Sequence, residues 1–217
     1  MKNKKTSIAS NEWEVLNLII TISRETGSGG HTVGRLLAER LDYDFYDKEI
    51  VASVASKMGI DKKLILENGE NMSDQDYIDM KSGFVPHYKK AEVPYEEIKE
   101  AQDKVIKSIA DKGNCVIVGR GADYILRGRD DIFHVFIHAD MEHRVKRVQR
   151  HEGVTGQEER IQKELVQKDR SRATYYRYFT QKEWGKVENY TLSLDSGIFT
   201  KTQCTELIIQ AVKMKHL

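Results

Sequence analysis

The sequence has few cysteines and prolines, two of each in 217 residues. Cys115 and Cys204 are far apart and lie in apolar-periodic segments, so we expect two buried, reduced thiols that pack as small hydrophobic side chains. The seven histidines are scattered, and no third or fourth cysteine is available. A zinc site therefore has little support.

The sequence also lacks long apolar runs and an excess of charge of one sign. No stretch approaches the ~20 apolar residues of a membrane span, and residues 1–13 lack the apolar segment of a signal peptide. Thirty-five basic and 34 acidic side chains leave a formal net charge of +1. We therefore expect a cytoplasmic protein with no membrane or nucleic-acid partner, in which any basic site is local. The sequence does not indicate the oligomeric state.

One unit stands out in residues 17–41, where an apolar run, a glycine-rich turn and a helical apolar stripe follow one another. The run is short and β-branched, which predicts a buried strand. The stripe is Val33, Leu36, Leu37 and Leu41, which predicts a helix beginning near Gly30. Strand, glycine loop and helix together bind phosphate, because glycines let backbone N–H groups converge and the first-turn amides face the anion.

The loop departs from the P-loop pattern G-x-x-x-x-G-K-[ST]. Gly29 holds the second glycine position and Arg24 stands at the first. Gly30 replaces the lysine that reaches the outer phosphates, and His31 replaces the Ser/Thr. The anion cradle is therefore kept and its principal cation is lost. A glycine-rich turn with no ligand is the alternative interpretation.

Strand-like and helix-like segments alternate along the rest of the chain. The further predicted strands are residues 43–47, 115–118, 132–139 and 190–194. The further predicted helices are residues 50–58, 95–112, 141–151, 157–179 and a closing helix after the capping-box sequence at 200–203. This order predicts a parallel sheet with right-handed crossovers, whose ligand lies at the carboxyl ends of the strands.

One segment interrupts this alternation. Residues 64–80 contain five acids and no base, and residues 81–94 contain both prolines. This composition predicts an insertion of irregular or mobile structure outside the core. It would serve either as a flap over a substrate or as a solvated surface excursion.

Several arginines are candidates for binding anions. Arg144, Arg147 and Arg150 recur at i, i+3 and i+6 and form a basic helix face, and Arg120 follows a predicted strand. A planar guanidinium suits bidentate phosphate contact. The alternatives are a solvated face for the helix and, for Arg120, a helix cap or a surface ion pair. Asp169 and Arg172 are a further candidate pair at i and i+3. The alternative for them is a local ion pair on the helix surface, worth only ~0.3 kcal/mol.

Motifs over nearly the whole chain resemble the cytidylate kinase-like group of P-loop kinases. They are Ile22-Ser23-Arg24-Glu25 with Gly27-Ser28-Gly29-Gly30, Phe45-Tyr46-Asp47, Val116-Ile117-Val118-Gly119-Arg120-Gly121, the Arg144/Arg147 helix, Asp169-Arg170-Ser171-Arg172, and Leu194-Asp195-Ser196. The resemblance implies a single α/β domain over residues 1–217, with the three-layer P-loop NTPase fold and a five-stranded parallel sheet. It also implies a helical acceptor-side insertion at residues 60–100 and a basic lid at 141–180.

The same resemblance implies ATP and Mg²⁺ as cofactors and assigns roles to particular residues. The residues that would hold the donor phosphates are Gly27, Ser28, Gly29, Gly30, His31 and Thr32. Thr32, which takes the place of the P-loop hydroxyl when one glycine is inserted, would also hold the metal. Asp47 would begin the acceptor-binding segment, Arg120 would hold the acceptor phosphate, and Asp169 and Arg172 would recognise a cytosine ring. Arg144, Arg147 and Arg150 would stabilise the transferring phosphoryl group.

Two departures from the family pattern bear on catalysis. Val118 and Gly121 stand where cytidylate kinases have acids around the Gly-Arg turn, and the P-loop lysine is missing. Our hypothesis is that Arg24 takes part of the lysine's role, which places Arg24, Arg144 and Arg147 together as catalytic residues. The sequence thus favours ATP-dependent phosphoryl transfer to a nucleoside monophosphate that resembles CMP or dCMP. The alternatives are a catalytically weak nucleotide-binding module and a kinase of a non-nucleotide small molecule.

Overall fold

The computed structural model describes residues 18–83 and 94–215. The predicted loose segment at residues 1–13 and most of the predicted irregular stretch at 81–94, Pro86 included, lie outside the described residues.

Five strands and nine helices make up the described part of the chain. The strands are β1 (Ile19–Arg24), β2 (Asp44–Tyr46), β3 (Cys115–Val118), β4 (Ile132–His138) and β5 (Leu192–Asp195). The helices are α1 (Gly30–Leu41), α2 (Lys48–Met58), α3 (Lys62–Asn68), α4 (Asp74–Lys81), α5 (Tyr95–Ala110), α6 (Ala122–Ile125), α7 (Met141–Glu152), α8 (Glu158–Thr180) and α9 (Lys201–Lys215). A 3₁₀ turn, Val187–Asn189, precedes β5.

The strands form one parallel sheet in the order β2-β3-β1-β4-β5. The central strand β1 is bonded on both sides, with Ile20 opposite Val116 of β3 and Phe133 of β4. All three residues are buried, as expected of parallel strands that are covered on both faces. The predicted five-stranded parallel sheet is confirmed, and its carboxyl edge carries the glycine loop.

Helices cover both faces of the sheet and give it three layers. On one face, α1 and α9 pack on the sheet around Leu37 and Ile208. On the other face, α2 and α5 do so around Ile50 and Ile106. Cys115 and Cys204 are buried and free, one in each apolar layer, as the sequence predicted.

The predicted helix signals before α9 are confirmed in detail. The amide of Gln203 donates to Thr200 Oγ1 at 3.2 Å, and the amide of Thr200 donates to Gln203 Oε1 at 2.9 Å. These two reciprocal bonds form a capping box. The described residues contain no helix that is both long enough and apolar enough to cross a membrane.

The composition of residues 64–80 predicted irregular structure, and that prediction is wrong, whereas the helical insertion implied by the family resemblance agrees with the structure. These residues form α3 and α4, and each helix has a side-chain N-cap: Asp61 accepts from the amide of Lys63, and Ser73 makes a capping box with Asp76. Two apolar side chains anchor the segment, Ile65 at 0% and Met72 at 1% exposure. The acids obscured this arrangement because α4 buries none of its residues and therefore shows no helical apolar periodicity.

We predict that Ile65→Ala lowers the free energy of unfolding by about 2–4 kcal/mol, because it leaves a cavity beneath α3. The matched control is the next residue, Leu66→Ala, which removes a side chain that is 48% exposed. It should cost less than ~0.5 kcal/mol. Urea unfolding of the three proteins measures both values, and equal effects would contradict the anchoring of α3 in the core.

Candidate active site

The glycine loop between β1 and α1 has the backbone of an anion cradle. Gly27 and Gly29 have φ angles of +81° and +85°, a region in which a side chain is strained. Helix α1 begins at Gly30, and its first intrahelical bond runs from the amide of Val33 to the carbonyl of Gly29. The amides of Gly30, His31 and Thr32 precede that bond and have no intrahelical acceptor. They are the donors that a phosphate would use.

The carboxylate of Asp169, on α8, binds the start of this loop through hydrogen bonds from Thr26. Asp169 Oδ1 accepts from the amide of Thr26 at 2.8 Å and from its hydroxyl at 2.7 Å. Arg172 Nη1 donates to the same hydroxyl oxygen at 2.7 Å. The predicted cytosine-recognising pair therefore lies at the glycine loop. Recognition of a base by Asp169 and Arg172 stays a prediction.

Two arginines of α7 bind the carbonyl side of the loop. Arg144 donates to the carbonyl of Thr26 at 3.2 Å and pairs with Asp169. Arg147 donates to the carbonyls of Gly27, at 2.9 Å, and of Ser28. A cation on each carbonyl reduces the repulsion that an entering anion would meet. The alternative of a solvated helix face is wrong for Arg144, which is 6% exposed, and it holds for Arg150, which is exposed.

The end of β5 completes the support of the loop. Ser196 donates its hydroxyl to the carbonyl of Ser28 at 2.6 Å, and Arg147 Nη2 donates to the carbonyl of Ser196 at 3.0 Å. The motif at 194–196, which the sequence analysis singled out without a role, therefore fastens the loop to the edge of the sheet.

A cavity of about 820 Å³ opens beside the loop. Its lining includes Thr32, Arg147, Arg150 and Lys201. Lys201 was missed by the sequence analysis, although it begins α9 just beyond the carboxyl end of β5, where ligands of parallel sheets bind. Burial, Arg147 and Arg150 lower the pKa of Lys201. The cavity is therefore rich in positive charge.

Arg24 lies where the side chain of a P-loop lysine would begin. A Cβ atom at Gly30 would come within 2.5 Å of Arg24 Cβ, so a side chain at position 30 and the present Arg24 exclude one another. On its other side, Arg24 Nη1 lies only 2.1 Å from the position of a Cβ at Gly119. Arg24 thus occupies space that two glycines leave open.

The Arg24 side chain ends in a cluster that the sequence analysis missed. The carboxylate of Glu70, between α3 and α4, lies 2.5 Å from Arg24 Nη1, 3.4 Å from Arg172 Nε and 3.7 Å from Arg120 Nε. Burial alone raises the pKa of Glu70, but the charges of Arg24, Arg172 and Arg120 outweigh burial and hold it at about 2. The local signal was weak, because Glu70 is one of five acids in a segment without bases.

Arg120 has a strained backbone that points to a role beyond packing. Its φ is +61°, between Gly119 at +73° and Gly121 at +65°, and a non-glycine residue in this region costs about 1–2 kcal/mol. Its Nη1 donates to the carbonyl of Ile65 at 3.2 Å. This bond agrees with the helix-cap alternative, and the same side chain also faces Glu70. Binding of an acceptor phosphate by Arg120 stays a prediction.

The remaining predicted site residues lie nearby. His31 Nε2 is 3.3 Å from Asp47 Oδ2, which links the first turn of α1 to the end of β2. Thr32 lines the cavity and is the one predicted metal ligand in the first turn. Within residues 18–83 and 94–215, no three His, Cys, Asp or Glu side chains form a metal-binding group. The cradle, the first-turn amides and the surrounding cations fit a nucleoside triphosphate, and the Thr32 hydroxyl fits a phosphate-bound Mg²⁺.

A profile of the cytidylate kinase-like family matches residues 19–198. The chain belongs to this family. Cytidylate kinase from Methanosarcina mazei is 26% identical over 196 residues, covering 89% of this chain and 95% of the relative. Cytidylate kinase from Archaeoglobus fulgidus is 27% identical over 207 residues, covering 91% and 96%. These relatives support a nucleotide kinase-like function for this family member.

Solved structures support the fold. An uncharacterized protein from Eubacterium ventriosum aligns with a TM-score of 0.65 at 26% identity, over 90% of this chain and 98% of that chain. Shikimate kinase from Acinetobacter baumannii aligns with a TM-score of 0.52 at 18% identity, over 94% and 97%. The second likeness shows a shared P-loop kinase fold alone. The predicted three-layer P-loop fold is thereby confirmed.

We predict that the stability difference between the wild type and Glu70→Gln depends on pH. The pKa of Glu70 is about 2 in the folded protein and ~4.3 in an unfolded chain. The stability that ionised Glu70 contributes is therefore fully present at pH values above the pKa of the unfolded chain, and it is lost as the pH falls towards 2. The advantage of the wild type should shrink by about 1 kcal/mol between pH 7 and pH 3.5.

Urea unfolding of both proteins at the two pH values measures this change. The control is Glu67→Gln in α3, whose side chain is 59% exposed. It should alter stability by less than ~0.5 kcal/mol at either pH. A Glu70→Gln effect of the same size at both pH values would show that the arginines do not stabilise the ionised carboxylate.

Proposed function

We propose that this cytidylate kinase-like protein transfers the γ-phosphoryl group of ATP to a nucleoside monophosphate, with an acceptor that resembles CMP or dCMP. The observation that carries this proposal is the position of Arg24. It extends from the end of β1 past Gly30, lines the cavity beside the glycine loop, and ends among Arg120, Arg172 and Glu70. A donor phosphate in the loop and an acceptor phosphate near Arg120 would have Arg24 between them.

Each residue then has a physical role. The amides of the first turn of α1 bind the donor phosphates, and Arg24 and Lys201 supply the charge that a P-loop lysine provides elsewhere. Thr32 would hold Mg²⁺, which neutralises negative charge on the phosphates. Arg120 would bind the acceptor phosphate and Asp169 its base, and Arg172, which lies between Glu70 and Asp169, would contact both. His31 with Asp47 would begin the acceptor side. Arg144 and Arg147 would act by holding the loop in shape, within a region, 141–180, that we propose as a lid.

The reaction requires no nucleophile on the protein. An oxygen of the acceptor phosphate attacks the γ-phosphorus of ATP, the bond from this phosphorus to the β,γ-bridging oxygen breaks, and ADP leaves with that oxygen. Catalysis of this step depends on positioning and on cations around the equatorial oxygens. A site whose polar groups are mainly arginines and loop amides meets that demand.

The second candidate function is a nucleotide-binding module with weak catalysis. The absent lysine at Gly30 favours it, and such a protein would bind nucleotide with magnesium dependence without turning it over. A third candidate, a kinase of a non-nucleotide small molecule, shares the donor side and differs only in the acceptor.

A panel of acceptors separates these candidates. The protein is incubated with MgATP and monophosphates, CMP and dCMP included, and the phosphorus resonances are followed over hours. Appearance of ADP with a new nucleoside diphosphate is the expected result. Intact ATP with every acceptor, together with magnesium-dependent nucleotide binding, would favour the binding module.

We predict that a double substitution can return the positive side chain to position 30, where a P-loop has its lysine. Arg24→Gly alone should lower kcat by about 10²-fold or more, because it removes a cation from the transferring phosphoryl group. Arg24→Gly/Gly30→Lys should recover at least about tenfold of that loss, since the lysine gains the space that Arg24 fills. Gly30→Lys alone should fold poorly, because its Cβ would lie 2.5 Å from Arg24 Cβ.

Turnover and MgATP affinity are measured for all four proteins. A double variant no more active than Arg24→Gly, with the same nucleotide affinity, would show that Arg24 does not substitute for the lysine.

A further inference from the structure

One carboxylate faces three arginines at the acceptor side of the site, of which Arg120 is buried and Arg24 and Arg172 are partly buried. Glu70 Oε1 contacts Arg24 and Arg172, and Oε2 faces Arg120. Three guanidinium groups around one carboxylate leave an excess of two positive charges in the cluster. Asp169 offsets part of that excess, but it also pairs with Arg144 and accepts two bonds from Thr26. The cluster therefore has room for more negative charge than Glu70 supplies.

The same cluster has more hydrogen-bond donors than acceptors. The Nε atoms of Arg120 and Arg172 are buried and have no hydrogen-bond partner among the described residues. Arg120 is 5% exposed, so bulk water does not replace the missing acceptor. A buried donor without an acceptor is costly, and in folded proteins it points to strain or to a missing ligand. A carboxylate has two oxygen atoms, whereas a terminal phosphate group has three and carries up to two charges.

Glu70 can leave the cluster without a large movement of the backbone. Its neighbours in the chain are held separately, by the buried side chains of Ile65 and Met72 and by a bond from the amide of Met72 to the carbonyl of Ser171 at 3.2 Å. The glutamate side chain has three rotatable bonds beyond Cα, so rotation alone can withdraw its carboxylate.

We propose that the Glu70 carboxylate is a built-in stand-in for a phosphate group, and that a phosphate monoester binds to Arg24, Arg120 and Arg172 by displacing it. The naming of that ligand as the acceptor rests on the proposed function; the presence of an oxyanion site does not. In the ligand-free protein Glu70 keeps the three arginines together and offsets part of their positive charge. The ligand therefore finds the three arginines already in place, but it must compete with the carboxylate for them.

The test measures binding of inorganic phosphate, with sulfate as a second oxyanion, by thermal shift and calorimetry at constant ionic strength. Glu70→Gln removes the competing charge and keeps the shape of the side chain. It should bind phosphate about tenfold or more tightly than the wild type, because a negative charge next to the site is lost. Glu67→Gln, exposed on α3, should bind as the wild type does.

A second pair of variants locates the gain. The glycine loop also binds oxyanions, so the Glu70→Gln comparison is repeated in a Lys201→Gln background, which weakens the loop side. If Glu70→Gln raises the phosphate affinity by the same factor in both backgrounds, the additional phosphate binds at the arginine cluster, because independent sites contribute additively. A gain that vanishes with Lys201→Gln would place it at the loop and overturn the proposal.

Glu70→Asp covers the case in which Glu70→Gln does not fold. It keeps the charge and shortens the side chain by one methylene, so the carboxylate holds the arginines less well and phosphate should again bind more tightly than to the wild type. Weaker or equal phosphate binding by the variants that fold would show that Glu70 only positions the arginines. That outcome would overturn the displacement.

The phosphate-binding experiment and the kinase assay can each reject one proposal without rejecting the other. Tighter phosphate binding by Glu70→Gln, without diphosphate formation from any nucleotide, would keep the oxyanion site and reject the monophosphate acceptor. Diphosphate formation with no gain in phosphate binding would keep the kinase and reject the stand-in.

Discussion

The ion cluster around Glu70 is the interaction on which the arrangement of the site depends. Its carboxylate joins four parts of the chain: the end of β1 through Arg24, the turn after β3 through Arg120, α8 through Arg172, and the link between α3 and α4. A buried carboxylate is tolerable only when cations compensate for its lost hydration, and buried guanidinium groups need the carboxylate for the same reason. Helices α3 and α4 are therefore held in place by charge as well as by Ile65, which packs in the core on the sheet, and by Met72, which packs against Tyr95 and Tyr175.

The arginines of the site divide into two groups with different tasks. Arg144 and Arg147 bind carbonyl oxygens of the glycine loop and set its shape. Arg24, Arg120 and Arg172 face Glu70 and concentrate positive charge around its carboxylate. Positioning and charge are the two things that phosphoryl transfer asks of a protein. The local spacing of Arg144, Arg147 and Arg150 predicted one basic face, but tertiary contacts separate the two loop-binding arginines from the exposed Arg150.

Much of the fold could be predicted because its signals are local. The unit of β1, loop and α1 follows from one apolar run, the glycines and one helical stripe, and the predicted start of α1 at Gly30 agrees with the structure. Helices α3 and α4 could not be predicted in the same way. They are short, carry many acids, and depend on their N-caps and on Ile65 and Met72, so neither has enough apolar positions to reveal a period.

The sequence by itself determined the parallel sheet, the anion cradle, the missing lysine and the family, because continuous apolar strands and glycine spacing are properties of short segments. Only the tertiary structure decided that Arg24 fills the space beside Gly30 and that Glu70 is its partner. Arg24 and Glu70 are 46 residues apart, and Thr26 and Asp169 are 143 apart. Such contacts follow from the order of the strands and the crossing of the helices, which bring distant charges together at one edge of the sheet without leaving a periodic trace in the chain.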